Sequence, residues 1–371
     1  MFFGLLEFVL HISGFQPSIG YKKFEIPAWM EELDPLVLSS YQSFVEGQGF
    51  VNEDAYAYQP DLRYGYLLKP RLRLTVQNYS SALFVDDLPP WTLASNSKGF
   101  RVNEEKAAIR KNFAETKILH VLGDSSSFGW GVNFRDSYPG RLEEKLKHSQ
   151  KNPGVAVKNH SIPGFTSFQG RLMLGEMGKI NKGDIVFISF GWNDSYPSLN
   201  SDRMQFQVRN SLAGKTNWFL NRLLIIKWMR TLIYSLPDPI DISAENTGSR
   251  VSLKEYRDNL NAIFKTIQKS GGKPYFVSVC NTREYRDVAE ETAKGANVPF
   301  YDFPEMFKPF LPTVHERFPD KFVTYFEAYG DLMEKETMLV FLFPDLCHPN
   351  VIGHGLMGDI LFESLKGEIL N

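Results

Sequence analysis

Ser125, Asp345 and His348 are the residues whose types and spacing suit nucleophilic chemistry in this chain. Ser125 follows the apolar run 118–122 through Gly123 and Asp124. That pattern reads as a buried strand ending in a turn that opens a helix. A serine so placed lies at the C-terminal edge of a sheet, where α/β proteins hold their ligands. It equally suits a simple helix cap. Near the C-terminus, Asp345-Leu346-Cys347-His348-Pro349-Asn350 sets a carboxylate three residues before an imidazole. On one turn, Asp345 can hold His348 through its Nδ1–H and leave the other ring nitrogen free as a base. A serine hydroxyl is a weak nucleophile until such a base takes its proton. The competing reading makes Asp345, His348 and His354 metal ligands, but no second ligand cluster in the sequence supports it.

Two further stretches suit charge stabilisation. Phe190-Gly191-Trp192-Asn193-Asp194 follows the strongest apolar run, 185–188. An asparagine at a strand's C-terminal end can donate its amide to a developing oxyanion. It also suits an ordinary turn, and Asp194 reads as a local cap. In Asn159-His160-Ser161-Ile162-Pro163-Gly164-Phe165, Gly164 can present a bare backbone N–H. A Pro-Gly turn is common and says little alone.

These residues need elements to hold them. Apolar runs at 117–122, 155–159, 184–190, 274–279 and 298–302 read as strands. Helical periodicity fills 138–148, 168–180, 253–269, 288–294 and 353–365 between and after them. Strands alternating with helices imply a parallel sheet of about five strands between helix layers, an α/β fold. With 43% hydrophobic residues and a net charge of -2, the chain has ample core and no basic surplus to suggest nucleic acid.

Together the four stretches resemble the SGNH hydrolases, the GDSL esterase and lipase family. Ser125, Gly164, Asn193 and His348 stand in the family's order, within Gly123-Asp124-Ser125, Gly164, Gly191-x-Asn193-Asp194 and Asp345-x-x-His348-Pro349. Ser126 stands where the name GDSL has Leu, a position that varies in bacterial members. The resemblance runs from about residue 117 to the C-terminus and does not reach residues 1–100. It implies a three-layer αβα flavodoxin-like fold and hydrolysis of acyl esters. No cofactor or metal is expected. It makes Ser125 the nucleophile, His348 the base and Asp345 its orienter. The Ser125 and Gly164 N–H groups and the Asn193 amide would form the oxyanion hole.

The expected organisation is an irregular, strand-rich extension over 1–116 and a catalytic unit over 117–371, with an insertion at about 196–250. The extension holds alternating stretches at 61–77 and a short helix at 39–45. Within the insertion, 218–236 is rich in Leu, Ile and Trp. It reads as a packed helix, a lid or a membrane-surface helix. Residues 1–12 read as a docked amphipathic helix or the stub of a membrane anchor, giving a route to membrane association. Cys280 and Cys347 define no disulfide framework, and Cys347 reads as a small core residue. The expected substrate is a small-molecule or carbohydrate ester with a short acyl group, such as acetyl. A lipase-like site, or acyl binding or transfer at an envelope, is the alternative. A bacterial envelope location is favoured over the cytoplasm.

Overall fold

Five apolar runs pair side by side in the computed structural model of the chain. The structure describes residues 2–15, 18–19, 35, 51–52, 57–76, 78, 88–103, 117–149, 155–220, 222–234, 248–329, 333, 336–343 and 345–369. Strands β1 (Lys117–Gly123), β2 (Val155–Asn159), β3 (Ile185–Ser189), β4 (Lys273–Ser278) and β5 (Phe300–Asp302) form one sheet. Their order is β5-β4-β3-β1-β2, and every pairing is parallel. β3 is buried along its whole length, as a strand covered on both faces must be.

The two faces follow from the two-residue period of a strand. Leu119, Val121, Phe187 and Val277 point to one side. There they meet helix α1 (Tyr138–His148) through Leu142 and Leu146. On the same side they meet the C-terminal helix Val351–Ile369 through Ile352, Leu356 and Leu361. Leu122, Val186, Ile188 and Phe276 point to the other side. They meet helices Leu253–Lys269 and Arg283–Gly295 there, through Leu260, Ile263, Phe264, Ala289 and Ala293. The result is the three-layer αβα arrangement expected. The order 2-1-3-4-5 reverses between β1 and β3, which opens a crevice at their C-terminal ends.

The N-terminal region contributes antiparallel hairpins, Tyr58–Asp61 with Gly65–Leu68 and Arg73–Val76 with Trp91–Ala94. Tyr64, Leu68, Trp91, Leu93 and Phe100 pack into the same core as Leu122, Phe128 and Phe165. The expected helix at 39–45 lies outside the described residues.

Three details differ from the sequence reading. The helix expected over 168–180 is Ser167–Met173, and the chain then turns, with Gly178 at φ 87°. The expected helix over 218–236 is instead a pair, Leu212–Leu220 and Leu224–Tyr234. The second of these starts where Glu7, on helix Phe2–Ile12, accepts the N–H groups of Leu224 and Ile225 at 2.8 Å each. A carboxylate there satisfies orphan amides and complements the helix dipole. The third difference is a correction: Cys280 and Cys347 form a disulfide. They stand 67 positions apart in sequence, so their pairing depends on two sheet-edge loops meeting in space. Among the described residues, no helix is long and apolar enough to cross a membrane.

Candidate active site

The crevice between β1 and β3 is framed by short turns with heavily used backbones. β1 ends at Gly123, where a Cβ would lie 2.9 Å from both Ser127 Cβ and Ser189 O, so only glycine lets the turn pack on β3. Asp124 then caps the four-residue helix Ser125–Phe128. Its Oδ1 accepts from Ser126 N at 3.0 Å and Ser126 Oγ at 2.7 Å. This leaves Ser125 at the first helical position, where a backbone N–H has no partner within the helix. Gly129, at φ 84°, closes the helix. Arg101 supports it from below. Only 2% exposed, its guanidinium donates to Phe128 O, Gly129 O and Val132 O at 2.5 Å each.

The second turn forms around one carboxylate. Asp345 Oδ1 accepts from Cys347 N and His348 N at 2.9 Å each, and Leu346 takes φ 51° to allow it. Phe343 N donates to His348 O at 2.8 Å and closes the loop on itself. The other oxygen, Asp345 Oδ2, lies 2.5 Å from His348 Nδ1. His348 Nε2 lies 2.7 Å from Ser125 Oγ. The structure thus brings Ser125, His348 and Asp345 into one continuous chain of hydrogen bonds across 223 residues of sequence. The disulfide to Cys280 fastens this loop to the segment just past β4.

Gly164 and Asn193 flank the same crevice. Gly164 has φ 78°. Asn193 lies on the short helix Trp192–Ser195 after β3, and its Nδ2 faces Asp124 Oδ2 and Phe165 O at 3.2 Å each. Both amide hydrogens are therefore engaged, and donation to an oxyanion would draw on one of these long bonds. Asp194 beside it is buried and accepts from Ser167 N at 3.0 Å and Ser167 Oγ at 2.5 Å. That joins the turn after β3 to the helix that follows Gly164. Outside the crevice, His354 is buried with its Nδ1 facing Tyr138 N at 3.3 Å. Among the described residues, no group of three or more His, Cys, Asp or Glu could hold a metal ion.

Electrostatics separate the ionisable groups. Burial works to lower the His348 pKa. The charge of Asp345, its hydrogen bond and the charge of Asp124 outweigh it, and the net shift is upward from 6.5. Burial raises the Asp124 carboxyl against the pull of the Ser126 bonds and the His348 charge. Burial also pushes Asp194 up to about 7, despite its bonds to Ser167. An imidazole held between a carboxylate and a hydroxyl can move a proton from that hydroxyl, which suits acyl transfer.

The model of the GDSL-like lipase/acylhydrolase family matches residues 121–356, more than half of the chain. The chain belongs to this family. Its hydrolases act on esters, and this GDSL-like chain is such an enzyme. Comparison with curated proteins gives no match. Similar solved structures include the psychrotrophic esterase EstA from a Pseudoalteromonas species. It is 15% identical, with a TM-score of 0.38, covering 68% of this chain and 99% of its own. Another is the acetyl xylan esterase AlAXEase, 14% identical with a TM-score of 0.38, covering 67% and 99%. A variant of Axe2, an acetyl-xylooligosaccharide esterase from Geobacillus, is 17% identical with a TM-score of 0.40, covering 70% and 96%.

Several residues of this GDSL-like site carry no signal in the sequence. Tyr66, Arg101 and Arg250 hold backbone carbonyls around the crevice from segments far away in the chain. Gly99-Phe100-Arg101 is legible as a turn leading to the next unit, but nothing in it marks Arg101 as buried.

Proposed function

We propose that this family member is a serine esterase in which Ser125 attacks short acyl esters, His348 serves as base and acid, and Asp345 orients it. The relay of 2.5 Å and 2.7 Å contacts through His348 carries this reading. Ser125 Oγ adds to the acyl carbon while its proton passes to His348 Nε2. The oxyanion meets the N–H groups of Ser125 and Gly164 and the amide of Asn193. Collapse returns the proton to the leaving alcohol, and water then repeats the cycle on the acyl-enzyme. In this reading residues 117–371 are the catalytic unit, with an insertion over about 196–250 and an extension over 1–116.

The alcohol is read as a carbohydrate or another polar group. Trp192 and Tyr196 pair edge to face at 5.9 Å beside Asn193, and Trp130 follows the nucleophile helix. Aromatic faces among hydrogen-bonding groups suit sugar rings. The disulfide supports an oxidising compartment such as a bacterial envelope. Helix Phe2–Ile12 exposes Phe3, Leu5, Phe8, Val9 and Ile12, which supports association with a lipid surface through that helix. Co-sedimentation with vesicles, with and without residues 2–12, tests that point.

A fluorophosphonate probe should label Ser125 and fail on Ser125→Ala; labelling at Ser126 or Ser127 would refute the assignment. Asn193→Ala should lower kcat roughly 10²-fold with little change in KM. Aryl esters of increasing length separate the substrate readings. Activity should fall beyond butyrate, whereas a lipase-like tunnel gains about 0.8 kcal/mol per buried methylene. Adding a sugar acceptor to the assay separates transfer from hydrolysis.

A further inference from the structure

We infer that Tyr66 and Arg250 are positioning residues that fix the two peptide planes around Gly164 and so aim its N–H into the crevice. The inference rests on the reading of Gly164 as an oxyanion donor. Tyr66 Oη donates to Pro163 O at 2.8 Å. The Pro163 carbonyl and the Gly164 N–H belong to one peptide unit. No peptide bond in the described chain is cis, so the two groups point in opposite directions from one plane. Holding the oxygen on one side therefore sets the direction of the N–H on the other.

Arg250 fixes the next plane. Its Nη1 donates to Gly164 O at 2.9 Å. The guanidinium is itself anchored by Asp202, with Nε to Oδ1 at 3.0 Å and Nη2 to Oδ2 at 2.9 Å. Thr166 Oγ1 donates to the same Asp202 Oδ2 at 2.7 Å, which ties the far end of the loop to this anchor. Tyr66 is seated by ring contacts with Phe165 at 5.5 Å and Tyr58 at 5.4 Å. Gly164 is required twice over. Its φ is 78°, and a Cβ there would stand 2.4 Å from Tyr66 Oη. The missing side chain is what lets the phenol approach the backbone.

This gives the N-terminal hairpin and the neck of the insertion a part in the reaction without contact to the reacting atoms. An oxyanion donor is useful only if it is aimed before the charge develops. Tyr66→Phe deletes one hydroxyl and keeps the ring. Losing a whole oxyanion donor costs roughly 10²–10³ in kcat, and misaiming one costs a fraction of that, so about a 10-fold fall is expected. Expected with it are a KM within about twofold, an unmoved acid limb of the pH profile, and a boronic-acid inhibitor weakened about as much as kcat. An unchanged kcat, or a raised KM alone, overturns the inference. Should Tyr66→Phe fail to fold, Arg250→Lys is read by the same split, since lysine keeps the charge but not the fork. Ser125→Ala run alongside separates the two levels. If Ser125→Ala stays active, the esterase reading fails. If it is inactive while Tyr66→Phe keeps full kcat, only the positioning role fails.

Discussion

His348 lies between a bonded carboxylate, Asp345, and a more distant one, Asp124, and both favour its charged form over the effect of burial. A base must be neutral to accept a proton, so kcat/KM should fall as pH drops through a pKa above 6.5. Asp345→Asn tests the larger influence. Its oxygen can still accept from Cys347 N and His348 N, but its NH2 group would face Nδ1 and impose the wrong tautomer. The analogous change in the serine-protease template costs about 10⁴ in kcat. Here a loss of roughly 10³-fold is expected, together with an acid limb displaced to lower pH, measured on an aryl acetate. Asp194 gives a stability prediction. Its carboxyl titrates at about 7 in the folded chain and at about 3.9 when unfolded. Between those values the folded state holds a proton that the unfolded state has released. This group's contribution to stability is therefore full below about pH 4 and is lost as pH rises through 7. Urea midpoints at pH 5 and pH 8 should lie closer together in Asp194→Asn than in the wild type.

At the scale of elements, the helix Ser125–Phe128 is too short to be stable by itself. It persists because Asp124 caps its start and Arg101 collects the carbonyls at its end. Cation and dipole are matched at that C-terminus, and the guanidinium stacks 4.5 Å from the Phe128 ring centroid. Arg101→Met keeps much of the volume and removes every donor. Buried carbonyls then lose charged partners worth roughly 1.5–3 kcal/mol each in the better cases. A loss of about 3 kcal/mol in chemical unfolding is expected, with kcat reduced, on the proposed reading, through the loosened turn that carries Ser125. Full stability in that variant would show that Arg101 is only a filler.

At the scale of the molecule, the disulfide joins the loop after β4 to the loop bearing Asp345 and His348. Closing a 67-residue loop removes about 4 kcal/mol of unfolded-state freedom in the chain-entropy account. Cys280→Ser with Cys347→Ser should lower the Tm and, on the proposed reading, reduce kcat, because one anchor of the loop bearing Asp345 and His348 is gone. Wild-type protein treated with reductant should move the same way. An unchanged Tm under reducing conditions would mean that packing alone holds the loop. The N-terminal region is equally part of the working body, since Tyr66, Arg101 and Gln169 link it to the turns after β1 and β2.

What the sequence by itself determined was local. Continuous apolar runs located the strands of the sheet within about two residues, and the turn chemistry after β1, β2 and β3 put Ser125, Gly164 and Asn193 at one edge. Asp345 and His348 were legible as a pair because they stand three positions apart within one turn. Glycine breaks and the split of the insertion helix were less legible, because a carboxylate from residue 7 helps to start the second half. Only the tertiary structure decided the rest. Tyr66 meets Pro163 across 97 residues, Arg250 meets Gly164 across 86, and Cys280 meets Cys347 across 67. No periodicity or spacing encodes such contacts, since each depends on where several packed elements happen to bring a side chain. The same holds for Asn193: its place was readable from the strand before it, but its bonds to Asp124 and Phe165 exist only once three turns converge.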